Sequence, residues 1–250
     1  MSSHNAVAAT QREEPAAANA MVLVELFTSE GCSTCPPADK LLADLDQNQP
    51  IKGVQVIALS EHVDYWNQLG WKDPFSSAEF SKRQLEYMQA LGLKDVYTPQ
   101  MIVDGRTEFV GSKLATAYEV IAKAARSPKA AVTLAIKTST SKSVMLTVQV
   151  ENLPEISTGD TADVMLAITE SNLLSNVTKG ENTGRKLTHT AVTRKLMRLG
   201  SVSDRVFSTH KTFDLDSAWN RLNLKAVAFV QERASHRVLG VAAIKLAGEL

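Results

Sequence analysis

The fold of this chain is decided by one stretch, Val22-Leu-Val-Glu-Leu-Phe-Thr-Ser-Glu-Gly-Cys32-Ser-Thr-Cys35-Pro36-Pro37. Its pattern predicts a short apolar strand, a tight turn, two cysteines spaced C-x-x-C and the start of a helix. These are the only two cysteines among the 250 residues, which indicates that they are used together. At the N-terminus of a helix, unpaired N–H groups and the helix dipole stabilise a thiolate, and a thiolate is the reactive form of cysteine.

Composition excludes several classes of function. Lys plus Arg and Asp plus Glu number 27 each, so no net charge attracts nucleic acid or an anionic membrane. No segment approaches the roughly 20 consecutive apolar residues of a membrane span. We therefore expect a soluble globular protein that has no nucleic-acid partner and no membrane span.

The first twenty residues are rich in Ala, Ser, Gln and Glu and contain no apolar run. This composition predicts a disordered tail over residues 1–20 and lacks the features of a secretory signal. The sequence as written predicts a cytoplasmic protein, or a periplasmic or secreted one if the N-terminus is truncated.

Up to about residue 127 the pattern alternates strands and helices. A helical stripe that includes Leu41 and Leu45 separates the first strand from a second apolar strand, Val54–Leu59, which predicts a parallel β-α-β unit. A polar and aromatic segment follows, and then Ser76-Ser-Ala-Glu79 has the spacing of a capping box. Asp104-Gly105 between two apolar runs predicts a two-residue hairpin, and a third helix follows it.

From Ala130 onward the texture changes to alternating, β-branched runs separated by turn residues, which is typical of antiparallel β structure. The interval Ser171–Lys186 is predicted to be a long loop with a possible functional role. The predicted strands are Ala131–Thr138, Ser143–Glu151, Ala162–Thr169, Thr188–Leu199, Arg205–Phe213, Leu224–Gln231 and Val238–Leu246.

The order of elements over Val22–Arg126 resembles the thioredoxin fold. A longer set of motifs resembles a family of thioredoxin-like, often secreted bacterial proteins of unassigned function. These motifs are Phe27-Thr-Ser-Glu-Gly-Cys-Ser-Thr-Cys-Pro-Pro-Ala-Asp39, His62-Val-Asp-Tyr-Trp66, Gly70-Trp-Lys-Asp-Pro74 and Glu181-Asn-Thr-Gly-Arg-Lys-Leu-Thr-His189. The resemblance implies an α/β fold: a thioredoxin-like domain over residues 21–127 followed by an antiparallel β-sandwich-like domain over residues 128–250.

The resemblance also implies thiol–disulfide exchange on a protein or small-molecule disulfide, with the redox-active disulfide as the only cofactor. Cys32 would be the exposed, attacking thiol and Cys35 the covered, resolving thiol. A buried Glu25 would take the proton of Cys35, and His62 would move protons for both thiols.

Substrate binding is assigned by the same resemblance. Thr98 and Pro99 match the position of a cis-proline beside the disulfide and would pair with the substrate backbone. The aromatic residues of the polar segment, including Trp66 and Trp71, predict separately an apolar surface that binds the substrate. No metal ligand is assigned in this interpretation.

Each of these roles has an ordinary alternative. Glu25 can be a solvent-facing strand residue, His62 a loop histidine bonded to Asp64, Pro99 an ordinary strand start, and the tryptophans simple packing of the polar segment. A structural zinc site needs four ligands, usually two such cysteine pairs, and this chain has one pair.

Two other functions stay open for the whole chain. Cys32, Cys35 and His62 are the kind of ligands that suit Cu(I), which would make the protein a copper-binding or metallochaperone-like protein. A non-enzymatic thioredoxin-fold binding module, in which the disulfide is a passive clip, is the second alternative.

Overall fold

The computed structural model describes residues 19–202 and 205–247, so the predicted tail over residues 1–20 lies almost entirely outside the described residues. Over these ranges the chain has a mixed α/β fold with one large mixed sheet and few helices. Within the described part, no helix is long and apolar enough to span a bilayer. The helices are α1 (Pro36–Asn48), α2 (Ala78–Ala90) and α3 (Leu114–Ala124).

The strands fall into two groups along the chain. In the first half they are β1 (Ala20–Thr28), β2 (Val54–His62), β3 (Gln100–Val103) and β4 (Thr107–Val110). In the second half they are β5 (Ala131–Ser139), β6 (Ser143–Glu151), β7 (Ala162–Glu170), β8 (Leu173–Asn176), β9 (Lys186–His189), β10 (Val192–Ser201), β11 (Phe207–Asp214), β12 (Leu224–Glu232) and β13 (Val238–Lys245).

One eight-stranded sheet takes strands from both halves, in the order β13-β12-β7-β10-β2-β1-β3-β4. β1 and β2 are parallel, as the β-α-β pattern predicts, and β3 is antiparallel to β1. The two halves meet where β2 and β10 run parallel over a single register pair, Ser60 and Val192. The predicted division at residues 127 and 128 is therefore crossed by a continuous sheet.

The second half adds a three-stranded sheet, β11-β6-β5, and a hairpin of β8 and β9. The three-stranded sheet packs on β7, β12 and β13 through one apolar core. The structure places most of these strands within a few residues of the predicted ones. The single predicted strand Thr188–Leu199 is wrong, because a turn with positive φ at Ala191 divides it into β9 and β10. The hairpin of β8 and β9 was not predicted, because β8 lies inside the interval Ser171–Lys186, which was predicted to be a loop.

The alternation of β1 determines which side chains face the helices. Val22, Val24 and Leu26 pack in one core with the apolar face of α1. Leu23, on the opposite face, packs with Phe229 of β12 in a core that also contains residues of β2 and β13. The first half therefore shares part of its core with the second.

This shared core leads to a prediction about a fragment of residues 19–127. The fragment would expose Leu23, Ile57 and Leu59, which are all buried in the whole chain. Each buried apolar side chain contributes about 1.5–3 kcal/mol, so the loss is comparable with the 5–15 kcal/mol typical stability of a domain. We expect no cooperative thermal transition by circular dichroism. A cooperative transition close to that of the whole chain would show that the first half folds alone.

Two local predictions can be compared with the structure. A hairpin at Asp104-Gly105 is confirmed, with positive φ at both residues, 48° and 66°. Its loop has three residues and not the predicted two, because Val103 pairs with Thr107 and the Arg106 N–H donates to the Val103 carbonyl. A side chain on Gly105 is excluded, because a Cβ there would lie 1.8 Å from the carbonyl oxygen of His236. The capping-box spacing predicts Ser76 as the N-cap of α2, but the N-cap is Ser77. The Ser76 hydroxyl donates instead to the carbonyl of Asp73.

Candidate functional site

The cysteine pair lies in the turn between β1 and α1. Cys35 caps α1, and Pro36 occupies its first position, where a missing N–H costs nothing. The turn is held by hydrogen bonds from the Cys32 N–H to the Ser29 carbonyl and from the Cys35 N–H to the Cys32 carbonyl, both 3.2 Å. Cys32 and Cys35 are joined by a disulfide.

Both sulfur-bearing residues are buried. Cys32 is 1% exposed and Cys35 is 0% exposed, so the prediction that Cys32 faces solvent is wrong. The cause is a segment of the second half, residues 177–185 between β8 and β9, which we call the cover. Asn182 donates through Nδ2 to the carbonyls of Glu30 and Cys32 at 2.8 and 2.9 Å. Glu181 accepts from the Ser33 N–H at 2.9 Å.

The residues predicted to bind substrate lie around the same turn. Trp66 donates through Nε1 to the Thr98 hydroxyl at 2.9 Å. A Cβ on Gly31 would lie 3.1 Å from Trp66 Cβ, so the tryptophan packs directly on the cysteine turn. The peptide bond between Thr98 and Pro99 is cis. Trp71 donates through Nε1 to Glu30, two residues before Cys32, at 2.8 Å.

A group of histidines and acids, all buried except the half-buried Asp39, lies beside the cysteine turn. His62 at the end of β2 contacts Asp73 through Nδ1 at 2.7 Å. His189 at the end of β9 contacts Glu30 through Nε2 at 2.8 Å. The two imidazole rings meet edge to face with centroids 4.9 Å apart. We call His62, Asp73, His189, Glu30 and Asp39 the histidine–carboxylate cluster.

Asp39 is the fifth member of this cluster and lies on α1. Its Oδ1 accepts from the Thr28 hydroxyl at 2.8 Å. Burial raises the pKa of Asp39, and this effect outweighs the opposing attraction of His189 and His62. Asp39 therefore holds its proton to a higher pH than an ordinary aspartate.

The pKa values of His62 and Asp73 both shift in the direction that favours an ion pair. Burial works against the charge on His62, but Asp73, aided by Asp39 and Glu30, raises the pKa of the imidazole. Burial likewise disfavours an ionised Asp73, yet His62 and the backbone N–H groups of Glu30 and Phe75 lower its pKa. His62 is thus stabilised as imidazolium and Asp73 as carboxylate.

Each histidine leaves one ring nitrogen unused. His62 Nε2 and His189 Nδ1 are buried and have no hydrogen-bond partner among the residues that the structure describes. His62 is bonded to Asp73 and not to Asp64, the partner considered in the ordinary alternative. Buried polar atoms are rarely left unpaired, so each of these two nitrogens is free to bind a water, an ion or a substrate group.

Glu25 is buried, as predicted, but it lies on the opposite face of the sheet. Its carboxylate pairs with the Arg83 guanidinium at 2.6 Å and accepts a hydrogen bond from the Tyr87 hydroxyl. Arg83 also lies 3.5 Å from Glu61 and donates to Gln231 of β12. The hydrogen bonds of Glu25 therefore run to α2, and the proton-accepting role assigned to it remains a prediction.

The structure brings Cys32, Cys35, Trp66, Trp71, Thr98 and Pro99 to one turn and its surroundings, with His62 in the adjoining cluster. Sequence reasoning assigned no role to Asp73, His189, Glu30 or Asp39. All four lie inside the motifs that carry the family resemblance, so those motifs could have identified them as candidates. The cover lies in the last of those motifs.

Over residues 19–202 and 205–247, no three His, Cys, Asp or Glu side chains come together as a group that could hold a metal ion. Of the three ligands considered for copper, the two sulfurs are bonded to each other and His62 is engaged by Asp73.

Comparison with known structures identifies the same overall fold in other proteins. A structural-genomics crystal structure of an Agrobacterium tumefaciens protein is 26% identical, with a TM-score of 0.73 over 92% of this chain and 96% of that chain. HBP35 of Porphyromonas gingivalis is 17% identical, with a TM-score of 0.66 over 93% of this chain and 79% of that chain, a likeness of fold alone.

Comparison at the level of sequence is consistent with the motifs. A search of curated proteins finds no match. The family described as protein of unknown function (DUF1223) matches residues 23–231, which is most of the chain. The chain belongs to the DUF1223 family of proteins of unknown function.

Proposed function

We propose that this protein carries out thiol–disulfide exchange through Cys32 and Cys35. The observation that carries the proposal is the disulfide between the only two cysteines of the chain, at the N-terminus of α1 and directly after a buried strand. Such a position stabilises a thiolate and so favours the exchange reaction.

The exchange is balanced with a dithiol as its partner. A substrate thiolate attacks Cys32 Sγ, the bond between the two cysteine sulfurs breaks, and Cys35 leaves as a thiolate that takes up a proton. The second substrate thiol loses its proton and attacks the substrate sulfur of the mixed disulfide, and Cys32 leaves as the second thiolate. The substrate loses two electrons and becomes a disulfide, and the protein gains them as a dithiol. The reverse sequence reduces a substrate disulfide.

The order of elements supports a thioredoxin-like arrangement for the first half. β1, α1, β2, α2, the β3–β4 hairpin and α3 follow one another, with Pro99 immediately before β3. Under this proposal the second half is a β-sandwich-like unit that supplies the cover and His189. Thr98, Pro99, Trp66 and Trp71 bind the segment of substrate that carries the reacting sulfur.

Because both cysteines are buried, exchange requires that a substrate displace the cover or Trp66. This requirement favours a protein or peptide disulfide that can exchange its own backbone hydrogen bonds for those made by Asn182 and Glu181. The two Asn182 bonds end on backbone carbonyls, which are acceptors that a peptide N–H also satisfies.

The proposal is tested with single cysteine variants. We expect Cys35→Ser to accumulate a mixed disulfide through Cys32, because the resolving thiol is missing. Cys32→Ser should trap little, because Cys35 is the N-cap of α1 and acts in the proposal as the resolving thiol. The measurement is reduction of insulin or oxidation of a peptide dithiol, followed by a non-reducing gel.

The double variant Cys32→Ser/Cys35→Ser is the matched control, because it lacks the disulfide equally. Circular dichroism of all variants separates loss of chemistry from loss of fold. Absence of turnover by the wild-type protein together with absence of trapping by either single variant would make the disulfide a structural clip.

A further inference from the structure

We propose that the edge of β2 is a binding site for a small molecule with one amide edge, such as a primary carboxamide or a lactam. The ligand occupies a cavity between β2, β12 and β13 and hydrogen-bonds to the backbone of Ala58. Ala58 lies about 13 Å along β2 from His62. The site is therefore separate from the cysteine turn and does not rest on the function proposed above.

Ala58 points its backbone groups to the edge of β2 that faces away from β1. In a strand, the N–H and carbonyl of one residue point to the same edge, and successive residues alternate between the two edges. The Ser60 N–H donates outward to the Ala191 carbonyl at 2.8 Å. The His62 carbonyl accepts outward from the Ser77 N–H at 3.0 Å. The even-numbered residues of β2 therefore face this edge, and Ala58 is one of them.

The side chain of Gln49 shows which group fits such a position. Its Nε2 donates to the Val56 carbonyl at 2.9 Å, and its Oε1 accepts from the Val56 N–H at 2.7 Å. One amide thus satisfies both backbone groups of Val56. Gln49 reaches this position from the end of α1, where its backbone is left-handed, with a φ of 47°. Ala58 presents the same pair of groups two residues further along the same edge, so a second amide suits it in the same way.

The free position is one residue wide. On one side Gln49 occupies Val56. On the other side the ladder to β10 begins with the pair of Ser60 and Val192. A peptide that adds to a sheet as a strand uses several alternate positions along the edge. Because the positions on both sides of Ala58 are taken, the gap suits a ligand with a single amide edge.

Burial makes a partner for Ala58 necessary. The residue is 3% exposed, and its N–H and carbonyl have no hydrogen-bond partner among the residues that the structure describes. Buried backbone groups are almost always paired, with protein, ligand or ordered water. The two groups of Ala58 are therefore a donor and an acceptor that await a partner from outside the described chain.

The adjoining cavity has room for such a partner. Its volume is about 340 Å³, within the range of roughly 300–1,000 Å³ that is typical of ligand sites. Five consecutive residues of β2, 54–58, line it. Because their side chains alternate between the two faces of the sheet, a cavity that touches all five meets the strand along its edge.

The opposite wall determines the rest of the ligand. It is formed by Val227 of β12 and by Ala243 and Ile244 of β13, which are apolar. An ion pair of Lys225 and Asp46, 2.9 Å long, also borders the cavity. The ligand is thus expected to combine one amide edge, directed at Ala58, with an apolar body.

The test is a proton–nitrogen NMR titration of the full-length protein with benzamide, which joins one primary amide to an apolar ring. We expect a saturable shift of the Ala58 amide resonance. Methyl benzoate has the same ring and a carbonyl but no N–H. We expect it to bind about ten-fold more weakly, because the buried Ala58 carbonyl then lacks a donor. N-acetylalanine N-methylamide, which stands for a peptide residue, should also bind more weakly than benzamide.

Three variants complete the design. Ala243→Leu fills the cavity from β13 and should abolish the shift of the Ala58 resonance. Ala247→Leu is its matched control, because it adds the same atoms at an exposed residue just after β13. Gln49→Ala frees Val56, so benzamide should still shift the Ala58 resonance and should now shift the Val56 resonance as well. Circular dichroism checks that each variant is folded.

The other outcomes overturn the proposal. No saturable shift at Ala58 would mean that ordered water alone completes its hydrogen bonds. Equal binding of benzamide and methyl benzoate would mean that the ring is recognised and the amide is not. Tighter binding of the peptide analogue than of benzamide would make the edge of β2 a site for strand addition.

Discussion

Replacement of Arg83 by methionine is expected to lower the free energy of unfolding by about 3–5 kcal/mol, the usual cost of removing one partner from a buried ion pair. Arg83 is 6% exposed and pairs with Glu25 and Glu61, which are both 0% exposed. Methionine fills much of the same space, so the loss comes from the two acids left without a cation.

The loss should grow with pH. Burial, aided by the neighbouring Glu25, already raises the pKa of Glu61 well above its ordinary value, against the opposing effect of Arg83. Without Arg83 the effect that lowers the pKa of Glu61 is lost, and a group whose pKa is raised in the folded state loses stability as pH rises. Urea denaturation at about pH 5 and about pH 8 measures this difference.

Two controls accompany this prediction. Lys82→Met removes a neighbouring cation that is largely exposed and pairs only with Glu86 among the described residues, so it should leave stability unchanged. Arg83→Met combined with Glu25→Gln should recover part of the loss. Equal stability of Arg83→Met and wild type would show that the ion pair contributes nothing to folding.

Substitution of Asn182 by alanine is expected to expose the disulfide and to increase its rate of reduction by dithiothreitol about ten-fold or more. Two hydrogen bonds attach the Asn182 side chain to the cysteine turn. Each contributes about 0.5–1.5 kcal/mol, so the loss of both raises the population of molecules with the cover open about ten-fold or more. The carbonyls of Glu30 and Cys32 also lose their partner while the cover is closed.

The same hairpin supplies the comparison for this experiment. Asn176→Ala changes an exposed side chain at the end of β8 and should leave the rate of reduction unchanged. Tryptophan fluorescence near the cover should change only in Asn182→Ala, because Trp71 packs beside Gly180. A rate in Asn182→Ala equal to that of wild type would mean that another element seals the cysteines.

Local structure around the disulfide follows from the sequence because its causes are local. The apolar run of β1, the stripe with Leu41 and Leu45 on α1, and the Asp104-Gly105 turn each specify their own conformation through neighbouring residues. The burial of Cys32 depends instead on Asn182, which is 150 residues away along the chain. The hydrophobic pattern of the cysteine turn does not predict that contact, and neither does the pattern of the cover.

The placement of the acids was predictable only in part. An apolar strand with Glu25 in it predicts a buried carboxylate, but the face that the carboxylate occupies depends on the register of β1 against α1 and α2. That register is set by the whole sheet. The pairing of His62 with Asp73, and of His189 with Glu30, likewise depends on how β2 and β9 are brought together.

The seam between the two halves of the large sheet has a mechanical consequence. The ladder between β2 and β10 is one register pair long, Ser60 and Val192. His62 lies two residues from this pair on one strand, and His189 lies three residues before it on the other side. A displacement of β10 against β2 would therefore change the separation of the two imidazoles and the position of the cover together.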